Sequence, residues 1–183
     1  MGKPVAVLVG CVTFVAIAAC TSTAPGTPAS SSPPRPGDPI DLTEFAGTPC
    51  GLLNGAQLRT FFITQAGTAA PHGTGTECRW TPSDTTALAY HAMVEAGAGG
   101  LAAVYGRRAT YPAFEPTSVH SYPAVHTDIG TGRCTVTVGV ADDTVLTATV
   151  DVTDPKLTAY GDPCLEADRF AGAVLGYQGH RAP

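Results

Sequence analysis

Histidines and cysteines are the side chains of this sequence with the widest chemical range, because they can ligate metals, transfer protons or act as nucleophiles. The chain has five histidines and six cysteines. Their spacing includes neither the His-x-x-x-His nor the Cys-x-x-Cys pair that is typical of zinc sites. A Gly-x-Ser-x-Gly nucleophile motif is also absent. The sequence therefore predicts no metal site, no cofactor site and no catalytic residue.

Three histidine arrangements remain open as minor alternatives. His72 lies in a loop rich in glycine and threonine, where it could bind a metal. His120 and His126 could lie near each other across a short turn, and His91 shares the polar face of a predicted strand with Glu95. The ordinary place for such side chains is a solvated loop or an outer sheet face. We predict that all three arrangements are of this ordinary kind.

The N-terminus has the pattern of a bacterial lipoprotein signal. Lys3 provides a positive start, and residues 4–19 form an almost uninterrupted apolar run. The run is too short for a membrane span, and polar sequence follows it directly. Ile17-Ala18-Ala19-Cys20 places small residues before a cysteine. We predict a signal peptide at residues 1–19, cleavage before Cys20 and attachment of a diacylglycerol to the Cys20 sulfur.

Other interpretations of this leader stay open. Leu8-Val9-Gly10-Cys11 resembles a second lipidation motif. Cleavage there would leave an apolar segment on the mature protein and would follow a very short hydrophobic region, so we favour Cys20. An ordinary secretory peptide and an uncleaved anchor are the remaining possibilities.

Residues 20–47 are predicted to be the lipidated cysteine and a disordered linker. Proline alternates there with serine, threonine, glycine and alanine. This composition buries too little apolar area to order itself. The linker would hold a globular domain, predicted at residues 48–179, away from the bilayer. Residues 180–183 are predicted to be a short tail.

Four cysteines remain for the folded domain, namely Cys50, Cys78, Cys134 and Cys164. An even number in an exported protein favours two disulfides over free thiols. Three pairings are possible. We predict Cys50–Cys164, which would join the two terminal helices, and Cys78–Cys134, which would join two strand cysteines that face inward.

The elements that must position these cysteines begin with a β-hairpin at residues 132–152. Valine alternates there with threonine, and a short acidic turn separates two such runs. Period-two alternation of this kind predicts an antiparallel pair with one buried face, which carries Cys134. Other strands are predicted around Cys78 and Trp80, at residues 87–96 and at residues 122–129. Residues 67–75 are predicted to be a loop.

Three helices are predicted. Residues 54–57 read Asn-Gly-Ala-Gln, a capping box at the start of the first helix. The inner side of that helix would carry Leu58, Phe61 and Phe62. A short second helix follows Gly99-Gly100, and the apolar positions of residues 163–176 have the spacing of a third helix.

These elements predict an α+β fold, with an antiparallel sheet of about five strands packed by helices on one face and stapled by two disulfides. The opposite face of the hairpin carries a group of threonines, Thr135, Thr137, Thr147 and Thr149. Two alternatives stay open for this face. Either it is simply solvated, or it docks a partner.

Each domain cysteine lies in a short motif, and the four motifs are Pro49-Cys50-Gly51-Leu52-Leu53, Glu77-Cys78-Arg79-Trp80, Gly132-Arg133-Cys134-Thr135-Val136 and Asp162-Pro163-Cys164. In these motifs the chain resembles the actinobacterial lipoproteins of the domain of unknown function 3558 family, over about residues 48–178. The resemblance implies a lipid-anchored envelope protein with an α+β domain. It implies no assigned activity and brings no catalytic residues.

Composition limits the function further. The net charge of −5 and the 14% of charged residues give no basic surface for nucleic acid. We predict a non-enzymatic binding or scaffolding module, anchored by lipid to the extracytoplasmic face of the cell membrane. Its expected partners are that membrane and an unidentified envelope component or protein. The alternative is a carrier of a lipid or other apolar ligand, held between helix and sheet.

Overall fold

A computed structural model describes residues 33–130, 132–154, 156–157 and 161–180, together with Gly2. The predicted signal peptide, Cys20 and the first part of the predicted linker lie outside the described residues. Lipidation at Cys20 therefore stays a prediction. None of the described helices combines the length and the apolar character that crossing a membrane requires.

The described part of the chain forms one antiparallel sheet of seven strands, in the order β1-β2-β3-β7-β6-β5-β4. The strands are β1 Thr68–His72, β2 Gly75–Trp80, β3 Leu88–Ala96, β4 Glu115–Val119, β5 Tyr122–Thr127, β6 Arg133–Gly139 and β7 Thr144–Val152. The helices are α1 Gly55–Arg59, α2 Gly100–Gly106 and α3 Pro163–Gly179, with short 3-10 turns at Thr43–Phe45, Pro49–Gly51 and Arg108–Thr110. The predicted α+β class and the presence of two disulfides are confirmed.

The prediction of about five strands is wrong, because it lacks the two edge strands. β1 lies in the segment that was predicted to be a loop, and all five of its residues are exposed. Each edge strand includes a proline, Pro71 in β1 and Pro116 in β4. Proline lacks the N–H that a central strand must donate, so it weakens a strand prediction, yet an edge strand tolerates it. These prolines also hinder pairing with a further chain.

The hairpin of β6 and β7 lies at the centre of the sheet, as its alternation predicted. Cys134, Val136 and Val138 are completely buried on the face that α3 covers, which is called the inner face below. α3 begins with an N-cap in which the Asp162 side chain accepts hydrogen bonds from the backbone of Cys164 and Leu165. The helix extends three residues beyond its predicted end and packs against β6 and β7.

Four aromatic side chains fill the space between α3 and the inner face. Phe170 of α3 stacks on Tyr90 of β3 at 4.8 Å between ring centroids, and it meets Phe61 edge-on at 5.1 Å. Trp80 of β2 lies 5.6 Å from Phe170. All four rings are buried. Such edge and stacked contacts add to the free energy gained by burying large apolar side chains.

The folded domain starts earlier than the predicted boundary at residue 48. Ile40, Leu42 and Phe45 are buried in the core, although composition placed them in the linker. The backbone N–H of Ile40 donates to the carbonyl of Val140 at 3.0 Å. The apolar side chains are sparse here among polar residues and prolines, so the composition of the segment is that of a linker and does not indicate a buried part.

The first helix has the predicted capping box, because Asn54 and Gln57 each accept a backbone N–H from the other. Phe62, however, is not on its inner side. The helix ends at Arg59, and Phe62 adopts a positive φ of 58° that turns the chain and leaves the side chain 58% exposed. A residue with a left-handed backbone ends the helical pattern, so its side chain no longer follows the helix face.

The predicted disulfide pairing is wrong. The bonds are Cys50–Cys78, with 5.1 Å between Cα atoms, and Cys134–Cys164, with 5.0 Å. In the sheet, β3 and β7 lie between β2 and β6, the strands of Cys78 and Cys134. Three strand spacings separate these two strands by about 14 Å, whereas a disulfide requires Cα atoms within about 7 Å. Each bond instead joins a strand to the turn or helix that covers it.

Candidate binding groove on the outer sheet face

The face of the sheet opposite α3, called the outer face below, is partly covered by α2. Leu101 and Val104 of α2 pack on Val125 of β5 and Val145 of β7, and all four residues are buried. The absence of a side chain at Gly139 permits this approach, since a Cβ there would lie 3.1 Å from the Leu101 Cβ. α2 therefore covers one end of the outer face.

The middle of the outer face is a group of five threonines, called the threonine floor below: Thr127, Thr135, Thr137, Thr147 and Thr149. They occupy neighbouring positions, because Thr135 pairs in register with both Thr127 and Thr149, and Thr137 pairs with Thr147. Thr147 is half-buried and the other four are buried. A simply solvated face therefore does not describe these residues. Thr127 was not among the threonines that the sequence singled out, because it belongs to a different strand pair.

A groove of about 430 Å³ lies above the threonine floor. α2 and the segment after it line the groove through Val104, Arg107 and Tyr111. His72, the last residue of β1, lines it as well. Asp128 lies at the end of the floor, directly after β5. The volume falls in the range of roughly 300–1,000 Å³ that is usual for small-ligand sites.

The hydroxyls of the threonine floor are only partly satisfied within the protein. The Thr135 hydroxyl donates to Oδ2 of Asp128 at 3.4 Å and lies 2.9 Å from the Thr149 hydroxyl. The Thr137 and Thr147 hydroxyls lie 3.4 Å apart. Each hydroxyl has one hydrogen to donate and two lone pairs to accept with. Several lone pairs of the floor are consequently left for a ligand or for solvent.

Thr127 is the most unusual member of the threonine floor. The residue as a whole is only 3% exposed, but its hydroxyl oxygen is not sealed from solvent and opens on the groove, where it makes no hydrogen bond to another described residue. A hydroxyl that reaches the groove without a protein partner is available to a ligand or to solvent. A ligand or a held water in the groove would supply the missing bond.

The rim of the groove carries charges of both signs. Arg107 is exposed and Glu95 is half-buried, and neither side chain has a hydrogen bond or ion pair within the described part of the chain. Asp128 adds a second carboxylate and has a positive φ of 51°. The groove is therefore neither strongly positive nor strongly negative.

Beside the groove, His91 is held between two carboxylates. Its Nδ1 lies 2.8 Å from Oε1 of Glu77, and its Nε2 lies 3.2 Å from Oδ2 of Asp151. Arg133 binds the other oxygen of Asp151 at 2.7 Å. The minor alternative of a His91–Glu95 pair does not form, because side chains on neighbouring strands lie closer to His91 than Glu95 does, four residues along the same strand. The sequence missed Glu77 and Asp151, whose proximity depends on the order of the strands.

His120 and His126 contact different turns of α3 and not each other. The Nε2 of His126 lies 2.7 Å from Oδ1 of Asp168. His120 packs against Gly172, where an added Cβ would lie 3.0 Å from its Nε2. A ring nitrogen of His126 and the sulfurs of Cys134 and Cys164 lie within 4.8 Å of one another. Those sulfurs are joined in a disulfide, so they are not the thiolates that a metal would need.

Comparison with known proteins gives one family. No curated protein and no solved structure matches the chain significantly. A family model described as a protein of unknown function (DUF3558) matches residues 6–177. Because this match covers most of the sequence, the chain belongs to the DUF3558 family.

Proposed function

We propose that this protein is a non-catalytic binding module of the cell envelope, anchored by lipid at Cys20 to the extracytoplasmic face of an actinobacterial membrane. The motif before Cys20 supports the anchor, and a signal peptide at residues 1–19 would direct export. Two disulfides in a small domain support an oxidising compartment. The groove on the outer face is the surface that meets the ligand.

The observation that carries this proposal is the Thr127 hydroxyl, which opens on the groove and has no partner among the described residues. It can therefore donate to and accept from a ligand in the groove. A valine at this position would have the same branched shape and would suit a strand equally well. The threonine is therefore better explained by a bond to something in the groove than by packing of the sheet.

A non-catalytic role agrees with the state of the most reactive side chains. The four domain cysteines are paired in disulfides. Both ring nitrogens of His91 and one of His126 are engaged by carboxylates. These histidines are held by structural contacts, which supports binding over proton transfer to a substrate.

The carrier alternative requires space between helix and sheet. Phe61, Trp80, Tyr90 and Phe170 occupy the space under α3. An apolar ligand would have to displace these buried rings. The groove on the other face, with its hydroxyl floor, is the better candidate.

The anchor is tested by replacing Cys20 with serine in the full chain expressed in an actinobacterial host. We expect the unaltered chain in the membrane fraction, with an acylated N-terminal cysteine by mass spectrometry. Cys20→Ser should lose the acyl group and leave the membrane. A chain that keeps residues 1–19, or that is acylated at Cys11, would contradict the anchor.

The binding surface is tested with the Thr127→Val variant of the full chain in detergent. Thr68→Val is the matched control, because Thr68 is an exposed threonine on β1 that does not line the groove. We expect unaltered chain and control to sediment with purified cell-wall material, and Thr127→Val to sediment less. The variant should be at least as stable as the unaltered chain, since no internal bond is lost. Equal sedimentation of all three chains, or none, would refute the groove as the binding surface.

A further inference from the structure

We infer that the ligand of the groove is a neutral, polyhydroxylated molecule of the oligosaccharide class. This inference rests on the proposed function and adds the chemical class of the ligand. It is argued from three features of the groove, namely the hydroxyls of its floor, the charges of its rim and the apolar surface of its walls.

The floor favours a ligand that both donates and accepts hydrogen bonds. Thr127, Thr137 and Thr147 each bring a hydroxyl with one donor and two acceptor positions to the groove. The Thr137 and Thr147 hydroxyls lie 3.4 Å apart on neighbouring strands, and alternate residues of one strand lie about 7 Å apart. A molecule with hydroxyls on several adjacent carbons can bond to more than one of them at once.

Ligands that can only accept or only donate hydrogen bonds fit the threonine floor less well. A phosphate or carboxylate only accepts hydrogen bonds, and an ammonium only donates them. Either would leave part of the capacity of each threonine unused. Hydroxyl groups match threonine hydroxyls in both respects.

The rim disfavours a charged ligand of either sign. An anion would be attracted by Arg107 but would lie near the carboxylates of Glu95 and Asp128. A cation would be attracted by the two carboxylates but would lie near the positive charge of Arg107. Charges of both signs around one small groove suit a neutral ligand, whose hydroxyls can accept from Arg107 and donate to the carboxylates.

The walls supply apolar surface without making the groove apolar. Tyr111 and Met93 line it, and Tyr111 is supported by Phe114 at 6.0 Å between ring centroids. The C–H surface of a sugar ring can pack on such side chains. A wholly apolar ligand would instead bury the threonine hydroxyls without partners, which is unfavourable.

The test compares the full chain, held in detergent and immobilised, with two variants. One is Thr127→Val/Thr137→Val/Thr147→Val, which removes three hydroxyls from the floor. Thr137 and Thr147 are replaced together because their hydroxyls are mutual partners, so neither is left unpaired. The other is the Thr68→Val control. Near-ultraviolet circular dichroism and intact disulfides establish that each variant is folded.

The probes are four fractions of bacterial cell envelope: neutral oligosaccharides released by partial acid hydrolysis, acidic oligosaccharides, peptides and lipid extract. We expect the unaltered chain and Thr68→Val to retain neutral sugar, measured by monosaccharide analysis. The triple variant should retain about tenfold less, since it loses several hydrogen bonds to the ligand.

The outcomes separate this inference from the proposed function. If the groove variant loses retention of peptide, lipid or acidic sugar and not of neutral sugar, the ligand class is wrong and the binding groove stands. If the unaltered chain and the triple variant retain every fraction equally, or retain none, the ligand class and the binding groove are both wrong. Loss of neutral sugar alone supports both.

Discussion

The Tyr90 hydroxyl donates a hydrogen bond of 2.5 Å to Oε1 of Glu166, joining β3 to α3 inside the core. Glu166 is a buried carboxylate, 8% exposed, and the Arg169 guanidinium contacts both of its oxygens. The bond lies beside the aromatic cluster that holds α3 on the sheet. It is a direct polar link between these two elements.

Replacement of Tyr90 by phenylalanine should therefore destabilise the protein while keeping its packing. A hydrogen bond to a charged group contributes about 1.5–3 kcal/mol, and we expect a loss in that range in urea unfolding. Tyr105→Phe is the matched control, since the Tyr105 hydroxyl has no hydrogen bond among the described residues. Its effect should stay within about 0.5 kcal/mol. Equal losses for the two variants would contradict the importance of the bond.

The disulfide pairing predicts which thiol each cysteine replacement sets free. Cys134→Ser should free Cys164, which is half-buried and should react with an alkylating reagent in the folded protein. Cys50→Ser should free Cys78, which is fully buried and should react only after unfolding. Peptide mapping without reduction identifies the labelled residue.

The same variants test the contribution of each bond to stability. The two loops are similar, with separations of 28 and 30 residues. Loop-closure entropy gives about 3.5 kcal/mol for each, so both variants should lose similar amounts. Labelling of Cys78 in the Cys134→Ser variant would contradict the observed pairing and would support a Cys78–Cys134 bond.

Gly132 should tolerate no side chain. A Cβ there would lie 2.3 Å from the carbonyl oxygen of Val152, a backbone atom that cannot move without disturbing the end of β7. We expect Gly132→Ala to cost about 1–3 kcal/mol in thermal unfolding. At Gly130 the nearest atom would lie 3.9 Å away, so Gly130→Ala serves as control and should have little effect. A similar loss for both variants would contradict the clash with Val152 as the cause.

Tyr122 should make stability sensitive to alkaline pH. Its hydroxyl donates to the carbonyl of Asp38 at 2.6 Å, which ties the start of the domain to β5. Burial, and secondarily the charge of Asp38, raise the pKa of Tyr122 above its ordinary value. The folded state therefore favours the neutral phenol. This stability is fully present below the unfolded value of about 10 and is lost as the pH rises through the raised folded pKa.

The measurement is chemical unfolding of the unaltered chain and of Tyr122→Phe at pH 8 and pH 11. The unaltered chain should lose more stability between these two pH values than the variant, because phenylalanine has no proton to lose. Tyr105, whose pKa is also raised by burial, is present in both chains, so its contribution cancels. An identical pH dependence in the two chains would contradict the role of Tyr122.

Local patterns accounted for most of the elements. Alternation of valine and threonine is a property of one segment, and it predicted the β6–β7 hairpin and the buried position of Cys134. The capping box at Asn54 and the N-cap at Asp162 involve residues only two or three apart, so the starts of α1 and α3 were also predictable. The edge strands were missed because proline is compatible with an edge strand but not with a central one. The sequence alone does not show which strands lie at an edge.

By itself, then, the sequence determined the α+β class, the central hairpin, the four disulfide-forming cysteines and the threonines of one sheet face. Only the tertiary structure decided how the cysteines pair, that Ile40 and Leu42 belong to the core, and that Thr127 joins the threonines in a groove. The reason is the order of the strands. The spacing of apolar residues in a strand or helix and the caps of a helix depend on neighbours along the chain. Distances across the sheet depend on which strands lie between two residues.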